Sequence, residues 1–183
     1  TIQFVPSQAA STLEAKAKPL EKILSKKLGV PVKISMSTDY NTVVEAMKSK
    51  KVDVGFLPPD GYVLAHKQKA ADVLLQALRY GVKQPGGKST NKLVKFYRSE
   101  ILVKKGSKIK SWKDLKGKKI AVGKGSNANF LLVKLIENAG LKFSDVEVAY
   151  LPPADARAAF ESGRVDAWAI WDPFLAAAEK QLN

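Results

Sequence analysis

At 183 residues the chain is long for one average domain and short for two full ones. It can bury roughly 70% of its unfolded surface, so its stability needs no staples, and its formal net charge of +14 favours anionic partners: phosphate-like solutes, nucleic acid or an anionic membrane surface. The absence of cysteine excludes disulfides and thiolate metal sites, and no apolar run of 18 residues is present to serve as a spanning helix.

The charge is carried by 31 Lys and Arg against 17 Asp and Glu. Many of the lysines fall in pairs, such as Lys26 with Lys27 and Lys118 with Lys119, and not in one arm. Solvated faces account for that spacing better than a nucleic-acid patch does. The chain opens directly on a strand pattern, so any signal peptide is expected to have been removed or never to have existed.

In chain order, residues 2–5 predict a short strand and 6–8 a loop. Ser11 or Thr12 caps a helix to about Leu28, whose residues Leu13, Leu20, Ile23, Leu24 and Leu28 keep helical spacing. Pro19 predicts a kink or split in it, and Gly29 ends it. Residues 30–36 alternate as a strand. Thr38 or Asp39 caps a helix over 41–50, and 52–57 reads as a buried strand. Pro59, Asp60 and Gly61 open a helix to about Lys69. A strand over 73–80, a polar loop over 84–91 and a strand over 95–103 follow. Residues 112–115 predict a helical turn, 120–122 a strand, 123–126 a loop and 128–139 a helix. The rest reads as strand 146–150, helix 155–162, strand 165–170 and helix 174–182. Strands alternating with such helices imply parallel sheets.

Two stretches nearly repeat. Residues 39–59 and 155–173 each place an amphipathic helix, a basic turn, Val-Asp and an apolar strand ending in Pro. A chain that builds one α/β half twice is expected to have two similar lobes, and ligands favour clefts between lobes. In parallel sheets they sit at the carboxyl ends of strands, near helix N-termini. That rule selects the loops holding Ser7, Tyr40, Asp60 and Tyr62, residues 123–127, the loop ending at Asp155, and Trp171 with Asp172.

Residues 123–127, Gly-Lys-Gly-Ser-Asn, give the sharpest signal. Glycines let backbone amides approach an anion, and a following helix presents unpaired N–H groups. Ser126 and Asn127 add side-chain donors, although Ser126 serves equally well as a helix cap. Tyr40, Tyr62 and Tyr97 either wall a cleft or are structural aromatics. Asp172 and Pro173 also read as a cap and first helical turn. His66, the one histidine, lies mid-helix beside Lys67 and reads as a surface residue; no His-x-x-x-His pattern or Gly-x-Ser-x-Gly elbow occurs. Asp39, Asp60 and Asp172 are spread over separate loops, which suits orienting a ligand more than a paired acid and base.

The residues also carry a resemblance. Residues 1–118 resemble the phosphonate, phosphite and phosphate-binding proteins of ABC transporters through Phe4-Val5-Pro6-Ser7, Ser37-Thr38-Asp39-Tyr40-Asn41-Thr42, Tyr97-Arg98-Ser99-Glu100 and Trp112-Lys113-Asp114-Leu115-Lys116-Gly117-Lys118. From about residue 119 the chain is similar instead to aliphatic sulfonate, taurine and nitrate-binding proteins, through 123–129, 151–160 and 168–173. Both groups are type II solute-binding proteins. Two departures stand out. The phosphonate group's Ser-Thr-Ser-Gly loop is absent near 125–128, so only Ser126 carries over as an oxyanion ligand. The C-terminal return to lobe 1 is also missing, which with the mosaic pattern suggests an engineered, reconstructed or truncated chain.

The resemblance implies a two-lobed α/β periplasmic-binding-protein-like fold: lobe 1 over 1–97, a crossing strand at 98–100 and lobe 2 over 101–183. It implies capture of a small oxyanion in the cleft by hinge closure and delivery to an ABC permease, in the periplasm or at the outer face of the cytoplasmic membrane. The expected ligand set is Ser7, Tyr40, Asp60, Tyr62, Tyr97, Gly125, Ser126, Asn127, Ala128, Asp155, Trp171 and Asp172. No catalytic residue, metal, cofactor or nucleic acid is expected. The alternatives are an enzyme on the same fold, like a synthase of the thiamine pyrimidine precursor, an engineered scaffold without transport function, or a DNA- or membrane-surface protein using the net charge. Val52, Val54 and Phe56 are expected inside the lobe 1 sheet beside 73–75. Without the return segment the expectation is a homodimer, or a rearranged fold with the last helix packed on lobe 1.

Overall fold

The computed structural model describes residues 1–7, 10–83 and 88–181. The chain divides into two compact units, one of residues 1–73 with 124–126, the other of 74–123 with 127–183.

The first unit holds a parallel three-stranded sheet of β1 (Ile2–Phe4), β2 (Ile34–Met36) and β3 (Val54–Phe56), with β1 in the centre. Helices α1 (Ala10–Leu28) and α2 (Tyr40–Lys48) connect its strands and pack on β2 and β3, and α3 (Pro59–Lys67) follows β3 and packs on α2. α1 runs through Pro19 without a break. Pro19 and Ala15 are both exposed, so the proline sits on the solvent side of α1, where a carbonyl without its helical donor is least costly. α2 starts where Asp39 Oδ1 accepts from the Thr42 amide at 2.9 Å. It buries Tyr40, Val43 and Val44. Gly55 permits that packing, since a Cβ there would lie 2.5 Å from Met47 Sδ and 3.0 Å from Val43 Cγ1.

β3 differs from expectation. It pairs only with β1, and Val54 and Phe56 are exposed, Phe56 stacking on Phe4 with ring centroids 4.1 Å apart. The apolar residues of 52–57 predict a buried strand, but α2 packs on the Gly55 face, and Val54 and Phe56 share the opposite face, which is left open. Residues 30–33 lie outside β2 as well.

The second unit contains a hairpin and a mixed sheet. In the hairpin, β4 (Arg79–Lys83) pairs antiparallel with β5 (Lys88–Val94). The strand expected over 73–80 is therefore displaced: Val73, Leu74 and Leu75 are exposed and outside any strand. The polar residues 88–91, expected as loop, are in β5, whose stability comes from cross-strand hydrogen bonds and not from a buried face. The register shifts between Tyr80 and Val82, and Asn91 of the partner strand adopts φ 57°. The strand expected over 95–103 is interrupted, with 95–98 irregular between β5 and β6 (Ser99–Val103).

The mixed sheet has the order β6, β9 (Ala167–Trp171), β7 (Lys119–Val122), β8 (Glu147–Tyr150). β9 runs antiparallel to β6 and parallel to β7, and all five of its residues are buried. A short 3-10 turn (Trp112–Leu115) precedes β7, and a second one, Phe143–Asp145, precedes β8. α4 (Asn127–Asn138), α5 (Pro153–Glu161) and α6 (Phe174–Gln181) bury Leu132 and Ile136, Phe160, and Leu175 with Ala178 respectively. Together with Ile120, Val122, Trp168 and Ile170 these side chains make the larger core of the chain. Among the described residues, no helix is long and apolar enough to cross a membrane, and no group of His, Cys, Asp and Glu could hold a metal ion.

Candidate functional site

Within the first unit the sequence places a turn beside a glycine loop. Ser37 donates its hydroxyl to the Asp39 carbonyl at 2.7 Å and to the Phe4 carbonyl at 3.2 Å, tying the end of β1 to the start of α2. That fixes Tyr40, only 4% exposed, at the first position of α2. Gly125 packs directly on it. A Cβ at Gly125 would lie 2.9 Å from Asn41 Oδ1 and 3.2 Å from Tyr40 Cβ, and the residue takes φ +73°. Both facts require glycine there. Ser126, the next residue, is fully buried. Tyr40, Gly125 and Ser126 thus belong to one compact unit.

The other candidates of this unit stand elsewhere on it. Ser7 closes a tight turn after β1, its amide donating to the Val5 carbonyl at 2.7 Å. Tyr62 lies on α3, its ring 5.7 Å from that of His66. His66 is exposed and its Nδ1 is 3.0 Å from Asp72 Oδ1, a surface pair. Asp39 spends its carboxylate on capping α2.

Asp60 is the unusual carboxylate. It lies in the first turn of α3, and its buried Oδ1 has no hydrogen-bond partner among the described residues. Burial raises its pKa above the ordinary 3.8, opposed by the Asp60 and Gly61 amides. The folded state therefore holds this proton to higher pH than the unfolded chain does, and stability falls as pH rises from the ordinary carboxylate range through the raised value. Asp60→Asn is expected to flatten the loss of stability that sets in as pH rises above the ordinary carboxylate range. Urea unfolding of both proteins across and above that range checks it; identical slopes would refute it.

In the second unit, a charged and aromatic cluster gathers at the start of β6 and the end of β9. The Arg79 guanidinium lies 4.2 Å from the centroid of the Tyr97 ring, and its Nη1 donates to the Asp172 carbonyl at 3.3 Å. Tyr97 donates its hydroxyl to Asn127 Oδ1 at 3.1 Å, and the Asn127 amide nitrogen donates to the Ser99 hydroxyl. Arg98 bridges two carboxylates, Glu100 at 3.2 Å and Asp172 at 3.6 Å. Asp172 is 5% exposed, and its Oδ1 has no hydrogen-bond partner among the described residues. Trp171 meets Phe174 edge-on at 6.1 Å.

This cluster joins three expected residues, Tyr97, Asn127 and Asp172. Ala128 is buried in α4, and Asp155 is exposed in the first turn of α5. Sequence reasoning missed Arg79, Arg98, Ser99 and Glu100 as members. Arg98 and Glu100 are spaced by two within the strand expected over 95–103, the period of one strand face, which is a readable signal. Arg79 offers none, because its partners are remote in sequence.

Comparison with known proteins places this architecture. Residues 2–182 match the family model described as "ABC transporter, phosphonate, periplasmic substrate-binding protein". An Escherichia coli (strain K12) protein named for binding aliphatic sulfonates is 58% identical over 78 residues, which cover 43% of this chain and 24% of that protein. The phosphate-import protein PhnD of Mycolicibacterium smegmatis is 33% identical over 159 residues, covering 83% of this chain and 47% of that one. The chain thus spans about half or less of the length of these relatives. In fold it is similar to PhnD1 from Prochlorococcus marinus (MIT 9301), solved with methylphosphonate, at a TM-score of 0.74 and 18% identity over 98% of this chain and 66% of that one. With nearly its whole described length matched, the chain belongs to the family of phosphonate ABC-transporter periplasmic substrate-binding proteins.

Proposed function

We propose that the chain captures a small oxyanion, a phosphonate, phosphite, phosphate or sulfonate, for uptake by an ABC permease. It does so in the periplasm or at the outer face of the cytoplasmic membrane, binding the solute without transforming it. The observation that carries this reading is the Gly125 loop, held by a positive φ and close contact against Tyr40 and Asn41 with Ser126 beside it. Such a loop offers backbone amides and hydroxyls to an anion, the pattern that suits oxyanion recognition. The names of the relatives span sulfonate and phosphate, so the ligand class follows from their shared chemistry, a tetrahedral oxyanion. The chain's one histidine is engaged on the surface with Asp72, which favours binding over acid-base catalysis.

Thermal melting with phosphonates, phosphite, phosphate, sulfonates and taurine tests the reading. A ligand at 100 times its Kd stabilises the fold by about 2.7 kcal/mol. No melting shift with any of these anions at millimolar concentration would overturn it. Ser126→Ala resolves the site: loss of a hydrogen bond to the anion lowers affinity by about 1–3 kcal/mol. If Ser126 only supports its loop, melting falls while the affinity of the folded protein stays the same.

A further inference from the structure

Residues 104–119 concentrate the charge of the second unit. The segment holds eight lysines, one aspartate and no arginine. It links β6 to β7 and is pinned from beneath by Leu115, 1% exposed. Its single carboxylate is exposed but engaged within the segment: Asp114 Oδ2 accepts from the Lys110 and Ser111 amides at 2.9 and 2.7 Å and from the Ser111 hydroxyl. The two end lysines are engaged locally, Lys104 with the Glu161 carbonyl and Lys119 with Glu147. Lys105, Lys108, Lys110, Lys113 and Lys116 are exposed and make no ion pair among the described residues. Trp112 stands among them, 47% exposed.

We propose that this segment is a docking surface for an anionic phospholipid bilayer. The lysines supply attraction to the headgroups, and Trp112 seats at the interface, where an indole's apolar ring and polar N–H are both accommodated. Two features favour a bilayer over nucleic acid. Lysine is a point charge suited to a diffuse anionic surface, whereas arginine's planar fork dominates phosphate and base recognition and is absent here. A lone exposed aromatic is an interfacial anchor, not a stacking platform for successive bases. The inference does not depend on the oxyanion site.

Sedimentation of the 183-residue chain with vesicles of phosphatidylglycerol and phosphatidylcholine in equal parts tests it, with phosphatidylcholine vesicles as the neutral control. Binding is expected to the anionic vesicles only and to weaken with added salt. Lys108→Gln/Lys110→Gln/Lys113→Gln should lower the partition coefficient about a hundredfold, at about fivefold for each lysine near the surface. The triple Lys22→Gln/Lys26→Gln/Lys27→Gln on exposed positions of α1 removes the same charge elsewhere and should change it far less. Trp168 and Trp171 are buried, so a blue shift of tryptophan emission on binding would come from Trp112 and be absent in Trp112→Phe. Equal losses from the two triples would reduce the effect to net charge and overturn the proposal. So would failure to bind anionic vesicles at low salt, or tighter binding to duplex DNA than to vesicles.

Discussion

Trp168→Ala is expected to lower the stability of the second unit by about 3–5 kcal/mol, the cost of a large aromatic truncated in a packed core. Trp168, the second residue of β9, is 1% exposed and lies opposite Leu102 on β6 and Ala121 on β7. Its ring lies 6.1 Å from Phe160 of α5, tilted by 44°. Alanine leaves a void between sheet and helix that the strand cannot close, because β9 is hydrogen-bonded on both sides. Trp168→Phe retains much of the volume and should cost markedly less. Urea unfolding followed by far-UV circular dichroism measures both. A loss below about 1 kcal/mol for the alanine variant would mean that the site collapses freely or is wet.

The repeated segment shows how far sequence reaches. Both copies form the helix and strand they predict, α2 with β3 and α5 with β9, because periodicity and turn residues are local signals. Their burial is not local. β9 lies between two strands and is wholly buried, whereas β3 has one neighbour and leaves Val54 and Phe56 exposed. Similar apolar residues thus meet different environments because the partners are set elsewhere in the chain. The same limit explains the hairpin: the polar stretch Lys88–Val94 reads as loop until Arg79–Lys83 is found beside it. Of the candidate site, Tyr40 and Gly125 were legible from strand ends and glycine spacing. Arg79 was not, since its contacts are with Tyr97 and with Asp172, 93 positions away.

Arg98→Ala should destabilise the second unit by about 3 kcal/mol, the lower end of the cost of leaving a buried charge without its partner. Asp172 is the group at risk. Its side chain is 7% exposed, and Arg98 is the one ion-pair partner it has among the described residues. Its Oδ1 has no hydrogen-bond partner among the described residues, so losing Arg98 removes the charge that offsets its burial. Asp172→Asn in the same chain removes the stranded charge, and the double variant is expected to recover part of the loss. Arg98 also meets Glu100, which is half open to water, and that contact is worth little by comparison. Glu100→Gln therefore should shift stability by less than about 1 kcal/mol. A double-mutant cycle on Arg98 and Asp172, read by chemical unfolding, separates the two contacts. A coupling energy near zero would show that Asp172 is stabilised by groups other than Arg98, and that the 3.6 Å approach contributes no net pairing.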